Sequence, residues 1–470
     1  MAAILGRRVD HQEWHRACEI LAITPPTRVV TALVERGMVE LSDQGFVFAH
    51  PLLVESLHRQ SREHHRWKAY HRGCAIALEE RVRGGARQMG HRAGEHWIHA
   101  GELERALFPL AEAEEQLFSV GQTQEALAVL ERLRQVLDLL EMAQDHPLRL
   151  RSEVRVVQYD WVAGRSREAM DRVQTALARC TRPEHDACAA RLLRFASLCH
   201  ARFGDLQSAE ECARRGLEKT RATRDLFLLG DAHSRLSRVL LLLGRRDESE
   251  DHLREAIRHY QEGGFIKDYL WATMDLAWLE VDKGVTESAL RTLEATRREA
   301  QRQGMLRLES NCINALGTVA IAEERYQDAR DFFRQFLRIE TDLEDIEGQA
   351  VANINLGNLA IRLDHDEEAH AHLDRAAAFA SQASLRSFEF HLRLFRLVLA
   401  TRADHEAEAL ELLSPFLDQW PVDAPTDEEL LWALELAADH ARHRDLASIA
   451  RICDARADDL RRALHQARHP

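Results

Sequence analysis

The residues best able to do chemistry in this chain are its 25 histidines and eight cysteines. None of the cysteines (Cys18, Cys74, Cys180, Cys188, Cys199, Cys212, Cys312, Cys453) forms a C-x-x-C pair, and no Cys/His spacing matches a zinc module. They read as small buried hydrophobes of a reducing compartment. His96 and His99 can share a helical turn with Glu95, and His64 and His71 stand two turns apart. A metal ion needs a third ligand at the right geometry, so these read as solvated or partly buried side chains, with no metal site expected. His443-Arg444-Asp445-Leu446 copies the opening of a kinase catalytic loop, but Ala450 stands where the magnesium-binding Asn belongs, and no DFG or glycine-rich loop accompanies it. There is no G-x-S-x-G, no H-E-x-x-H and no Gly-Lys dipeptide, so the phosphate cradle G-x-x-x-x-G-K-[ST] is absent. The expectation is a protein that is not an enzyme, with no catalytic residue and no cofactor.

The elements that carry these residues are helical. The 470 residues include 22 Gly and 10 Pro, are 45% apolar and 30% charged, and favour Ala, Leu, Glu and Arg, a composition of good helix formers. It excludes collagen-like, disulfide-scaffold and disordered classes. No apolar run reaches the roughly 18 residues of a membrane span, and no signal peptide opens the chain; membrane partners are not expected and the predicted location is cytoplasmic. The net charge of −14 is uneven: residues 1–100 carry 14 basic and 11 acidic side chains, the remainder 49 and 66. That asymmetry predicts two kinds of region.

The strongest signal is a repeat. Ala169, Ala209, Ser249, Ala289, Ala329, Ala369 and Ala409 close similar segments (GRSREA, GDLQSA, GRRDES and so on) at a constant spacing of 40 residues, with Ala106 and Ala126 as earlier, irregular members. Five residues before each lies Gly164, Gly204, Gly244 or Gly284, and in the last three repeats Glu324, Asp364 or Asp404. A glycine there suits a helix C-cap. The small residue that follows predicts a close helix crossing. Twelve residues upstream of the crossing the chain is again mostly small (Ser197, Ser237, Ala277, Gly317, Gly357), and four residues after it come Leu253, Leu293, Phe333, Leu373 and Leu413, the i, i+4 stripe of an amphipathic second helix.

Leu316, Gly317, Tyr326 and Ala329 resemble the tetratricopeptide (TPR) signature, and Leu356, Gly357 and Ala369 repeat it without the Tyr. The resemblance covers about residues 95–450 and implies an all-α fold: a right-handed superhelix of helical hairpins with a concave face, its period of 40 longer than usual. Pro415, Pro421 and Pro425 should break the pattern, and Asp427 should start a last capping hairpin.

The opening eighty residues do not repeat. HQEWHRACEILAI reads as a helix, TPPTRVVTALVERGMV as a second, MVELSDQGFVFAH as a β-hairpin, and Pro51 restarts a helix. That order is a winged-helix arrangement. Ala3, Leu5, Gly6 and Arg7, then Glu35–Val39, Phe46, Phe48, His50, Pro51, Leu52 and Leu53, then Arg66, His71, Ala75, Ala77, Leu78 and Glu79 resemble the module that follows the nucleotide-binding domain in STAND-type signal-transduction ATPases. That resemblance implies the C-terminal half of such a regulator, of the maltose-activator, LuxR-like or kinase-linked kind, without its ATPase. The expected domains are 1–82 (winged-helix-like), 83–426 (TPR solenoid) and 427–470 (C-terminal capping hairpin).

If the first helix of each hairpin lines the concave face, the groove positions are Arg151, Arg155, Arg191, Arg194, Arg235 and Arg238 early, and Asn311, Asn314, Asn355 and Asn358 late, near Trp271 and Trp278. Arg forks suit carboxylates or phosphates, and Asn amides can bond an extended backbone. The expected function is a sensing and interaction arm that holds an acidic peptide, protein or inducer in the groove and acts on a nucleotide-binding domain in cis or trans. A free-standing scaffold is the first alternative. DNA reading is the second, weakened because the presumed recognition helix offers Arg28 and Arg36 beside Glu35.

Overall fold

A computed structural model describes residues 1–25, 28–382, 388–417, 420 and 427–468. They divide into two compact units, Met1–Cys199 and His200–Pro470. The expected start of the second helix at Pro26, and the expected breaks at Pro421 and Pro425, lie outside the described residues.

The first unit opens with β1 (Arg8–Asp10), α1 (His11–Ile20), α2 (Val29–Glu35), β2 (Val39–Ser42), β3 (Gly45–Phe48) and α3 (Pro51–Glu63). The strands form an antiparallel sheet in the order β1-β3-β2, with Val9 opposite Phe46 and Val39 opposite Phe48. The hairpin is the one the alternation predicts. Strand β1 is new: three residues are too short to show a period, and only pairing with β3 defines them. Val9, Val39, Phe46 and Phe48 are buried with Trp14, whose ring meets Phe46 edge-on at 5.6 Å. Asp10 caps α1 by accepting the Glu13 N–H.

Helices α4 (Trp67–Arg83), α5 (Gly90–Ala100), α6 (Leu103–Ser119), α7 (Thr123–Leu139), α8 (Pro147–Val162), α9 (Ser166–Leu177) and α10 (Asp186–Arg202) follow, each from α4 to α9 packing on its chain neighbour. Buried carboxylates tie this unit together. Glu13 on α1 accepts from Arg81 of α4 at 3.1 Å and from Arg92 of α5 at 2.8 Å. Glu79 accepts from the Trp97 indole N–H at 2.8 Å and from Arg83 at 2.7 Å.

The second unit contains α11 (Leu206–Arg221), α12 (Leu226–Leu242), α13 (Arg246–Glu262), α14 (Ile266–Asp282), α15 (Thr286–Arg302), α16 (Leu306–Ala322), α17 (Tyr326–Asp342), α18 (Ile346–Arg362), α19 (Asp366–Gln382), α20 (Glu389–Arg402), α21 (Glu406–Leu413), α22 (Glu428–His443) and α23 (Ala447–Arg468). The helix starts at 206, 226, 246 and onward to 366 fall every 20 residues. The 40-residue period is therefore two turns of one kind. Gly164, Gly204, Gly244 and Gly284 are left-handed, as are Glu324, Asp364 and Asp404. The intervening turns match them at Arg224, Gly264, Gly304 and Glu344. At Gly244 the Arg245 N–H bonds back to Leu240 O at 2.9 Å, closing the helix in a Schellman-type cap. The kinase-like tetrapeptide is the same turn: Arg444 ends α22 and Asp445 is left-handed at φ 57°. Asp427 caps α22 through the Leu430 N–H, as its sequence predicts.

The seven small residues of the repeat are all buried. Ser249 Oγ lies 2.9 Å from both the hydroxyl and the carbonyl oxygen of Ser237, so the two small positions of one hairpin meet at the crossing. A Cβ on Gly317 would sit 2.5 Å from the Phe333 ring, and one on Gly357 would sit 2.9 Å from Leu373. Six of the eight cysteines are buried, and burial pushes the Cys312 thiol up to about 12.

Two glycine substitutions separate backbone from packing. Around Gly244 a Cβ would meet nothing within 4 Å, so Gly244→Ala should cost only the left-handed backbone term, about 1 kcal/mol. Gly317→Val drives two methyls into Phe333 and should cost more, about 1–3 kcal/mol. Urea midpoints of the two variants measure the order; equal losses would contradict this assignment.

Candidate ligand-binding face

In the second unit α12, α14, α16 and α18 are the first helices of successive hairpins. Along α14 the half-buried Trp271, Asp275 and Trp278 stand at i, i+4 and i+7; along α16 so do Asn311, Asn314 and Thr318 at i, i+3 and i+7. Polar links run from one first helix to the next. Asn355 Nδ2 of α18 donates to Asn314 Oδ1 of α16 at 2.8 Å. Arg238 of α12 donates to Asp275 of α14 at 3.2 Å. Burial raises the Asp275 carboxyl, and Arg238 works against that rise. Arg238 stays exposed.

The remaining groove candidates are placed differently. Asn311 is half-buried and its amide donates to Arg307 O at 3.1 Å within α16. Asn358 is fully buried; its Oδ1 accepts from Arg362 Nε at 3.1 Å. Arg235 is half-buried on α12. In the first unit Arg155 is locked in a fork on buried Glu114, at 2.7 Å from Nη2 and 3.0 Å from Nε, with Tyr159 also donating to that carboxylate at 2.7 Å. The Arg155 guanidinium lies 4.6 Å from the Phe118 ring. Arg151 is exposed and pairs with Glu115 at 3.6 Å. Arg191 and Arg194 are half-buried on α10, Arg194 lying 5.2 Å from the Phe195 ring. The structure thus joins Asn314 to Asn355 and engages Arg155 within its own unit.

Two groupings escape sequence reasoning because their members come from distant helices. At the end of the first-helix series, Arg362 of α18 stacks 3.7 Å from the Trp432 ring of α22. Burial lowers the Arg362 pKa, and Tyr326 and Glu429 partly restore it. His391 of α20 contacts Asp427 at 3.0 Å. The Trp following the capping Asp-Glu-Glu run was visible in the sequence, but nothing paired it with Arg362. In the first unit His71 Nδ1 and His96 Nδ1 meet at 2.8 Å, both rings buried, with the His99 ring centroid 4.8 Å from that of His71. The helical spacing of His96 and His99 was legible; the partner, His71 of α4, was not. Burial first, and the neighbouring imidazoles second, hold His71 at about 3; burial and Arg92 hold His96 at about 3.

No protein-family model and no curated protein matches this sequence. Solved structures do match. A STAND protein with a tetratricopeptide repeat sensor from Pyrococcus horikoshii aligns at TM-score 0.63 and 12% identity over 96% of this chain and 64% of that one. The fold is that of an all-α, TPR-like helical repeat. A Rap protein complexed with competence and sporulation factor aligns at TM-score 0.60 and 14% identity over 77% of this chain and 99% of that one. The quorum sensor NprR of B. thuringiensis aligns at TM-score 0.54 and 14% identity over 77% and 97%, and NprR in complex with its cognate peptide NprX at 0.52 and 13% over 74% and 94%. This chain spans less than two thirds of the length of the STAND protein. No helix among the described residues is long and apolar enough to cross a membrane.

The histidine pair makes a pH prediction. Its folded pKa values lie below the ordinary 6.5. The stability it contributes is therefore complete above pH 6.5 and is lost as pH falls toward about 3, because the unfolded chain then binds more protons. A His71→Asn/His96→Gln double variant should start less stable but show a shallower drop in thermal midpoint across that window. The same slope in both proteins would contradict it.

Proposed function

We propose that this protein is a non-catalytic sensing and interaction arm that binds an extended peptide or protein segment on the first-helix face of its repeats. The observation that carries this reading is the Asn314–Asn355 pair, an amide-to-amide bridge between consecutive hairpins, with half-buried Trp271 and Trp278 on the preceding first helix, α14. Each amide has donor and acceptor capacity to exchange its neighbour for a peptide N–H and C=O. An exposed Arg238 beside this run suits an acidic ligand. The likeness to a repeat protein holding its cognate peptide and to a STAND repeat sensor supports the same reading.

Residues 1–82 are proposed as a winged-helix-like module, 83–426 as the repeat solenoid and 427–470 as its cap. The strand order β1-β3-β2 around α1 and α2 supports the first assignment. Buried Glu13, held by Arg81 and Arg92, anchors α1 to α4 and α5; that attachment favours a hinge joined to the repeats over a free DNA reader. In this reading the arm is cytoplasmic and transmits occupancy to a nucleotide-binding domain in cis or trans.

Affinity capture on the full chain, followed by mass identification, tests this. Asn314→Ala/Asn355→Ala should weaken the captured partner at least about tenfold, the loss of one or two well-placed hydrogen bonds, with little change in thermal midpoint. Arg238→Ala should weaken it and flatten its salt dependence. Partner binding indifferent to all three changes removes the face from the function.

A further inference from the structure

The hairpin of α12 and α13 carries a polar cluster that the groove reading does not use. His233 stands on α12. On α13, His252, Glu255 and His259 stand at i, i+3 and i+7, one stripe of the helix. One ligand atom from each of His233, Glu255 and His259 lies within 4.8 Å of the other two. His259 Nε2 is 3.9 Å from Glu255 Oε2, and the His233 and His259 ring centroids are 5.7 Å apart. A tetrahedral zinc-type ion, with bonds of about 2.0–2.1 Å, places its ligand atoms roughly 3.4 Å apart. Small side-chain rotations span that difference.

The tautomers agree with a metal. His233 Nδ1 and His252 Nδ1 are 2.9 Å apart, so one ring donates and the other accepts. When His233 donates, its Nε2 keeps a lone pair, and His252 becomes the outer partner that fixes the ring. His259 is buried, and its Nδ1 has no hydrogen-bond partner among the described residues.

The cluster also holds a competitor. Arg258 pairs with Glu255 and approaches His259 Nε2 at 3.5 Å. It has a second acceptor in Glu262 at 3.3 Å, toward which it can turn. From α11, Arg221 near His233 and Arg214 near His252 add positive charge, and Glu248 and Asp251 offset it near His252.

We propose that His233, Glu255 and His259 bind a divalent zinc-type cation, with His252 orienting His233. Two imidazoles and one carboxylate leave a fourth position for water or a ligand group, and the ion staples α12 to α13.

The test uses the full chain, stripped with a chelator and titrated with Zn²⁺ against a chromogenic chelator, with Co²⁺ as a spectroscopic probe. The wild type should hold one ion that Glu255→Gln and His259→Asn bind at least about tenfold more weakly. Co²⁺ should show tetrahedral d–d bands that those variants lose. Glu255 is about half exposed, so Glu255→Gln exchanges one oxygen for nitrogen with little demand on folding, and circular dichroism confirms it. Arg258→Ala keeps all three ligands and should bind at least as tightly as wild type. Equal affinity in wild type and Glu255→Gln, or loss of the ion in a folded Arg258→Ala protein, overturns the site. Peptide capture by the first-helix face reads out separately from either result.

Discussion

Close helix crossing is the constraint on which the rest of this structure depends. Two helices can approach at Ser237 and Ser249, or at Gly317 beside Phe333, only because one side offers almost no side chain. The approach buries Leu253, Leu293, Phe333 and Leu373 on the neighbouring helix, and that apolar burial is what each hairpin gains by stacking. The left-handed turns serve the same end. A three-residue connection reverses the chain within the length available only if one residue adopts φ near +60°, and the repeat supplies glycine or, at Glu324, Asp364 and Asp404, accepts the cost of another residue.

Because the turns recur every 20 residues, the first helices of successive hairpins present equivalent positions side by side. That is why Asn314 can reach Asn355, 41 residues later, and Arg238 can reach Asp275. The proposed binding face is a consequence of the cadence. The same cadence juxtaposes α12 with α13, so His233 meets a stripe of α13 that already carries two further histidines and a glutamate.

The first unit adds buried charge to its small crossing residues. Glu13, Glu79 and Glu114 are buried, and each is held by arginine forks or aromatic donors from other helices. A buried carboxylate is costly unless its lone pairs are filled, so each fixes several helices at once. This explains Arg155: a residue whose sequence position suits ligand binding has its guanidinium occupied by Glu114. Periodicity records which helix face a side chain occupies; it cannot record a partner 41 residues upstream.

The all-α repeat, the C-cap glycines, the crossing residues, the β-hairpin at Val39–Phe48 and the cap at Asp427 were legible because they are local. Helical period, turn chemistry and capping act over about one turn of chain. Strand β1, the Arg362–Trp432 stack and the His71–His96 pair were not, since each is made of residues whose types are ordinary in isolation and acquire meaning from a neighbour far along the chain. Local patterning determined that helices form and where they turn. Packing decided which polar side chains are spent on one another and which remain on a face able to receive a ligand, because pairing energies depend on distances that exist only after the chain has stacked.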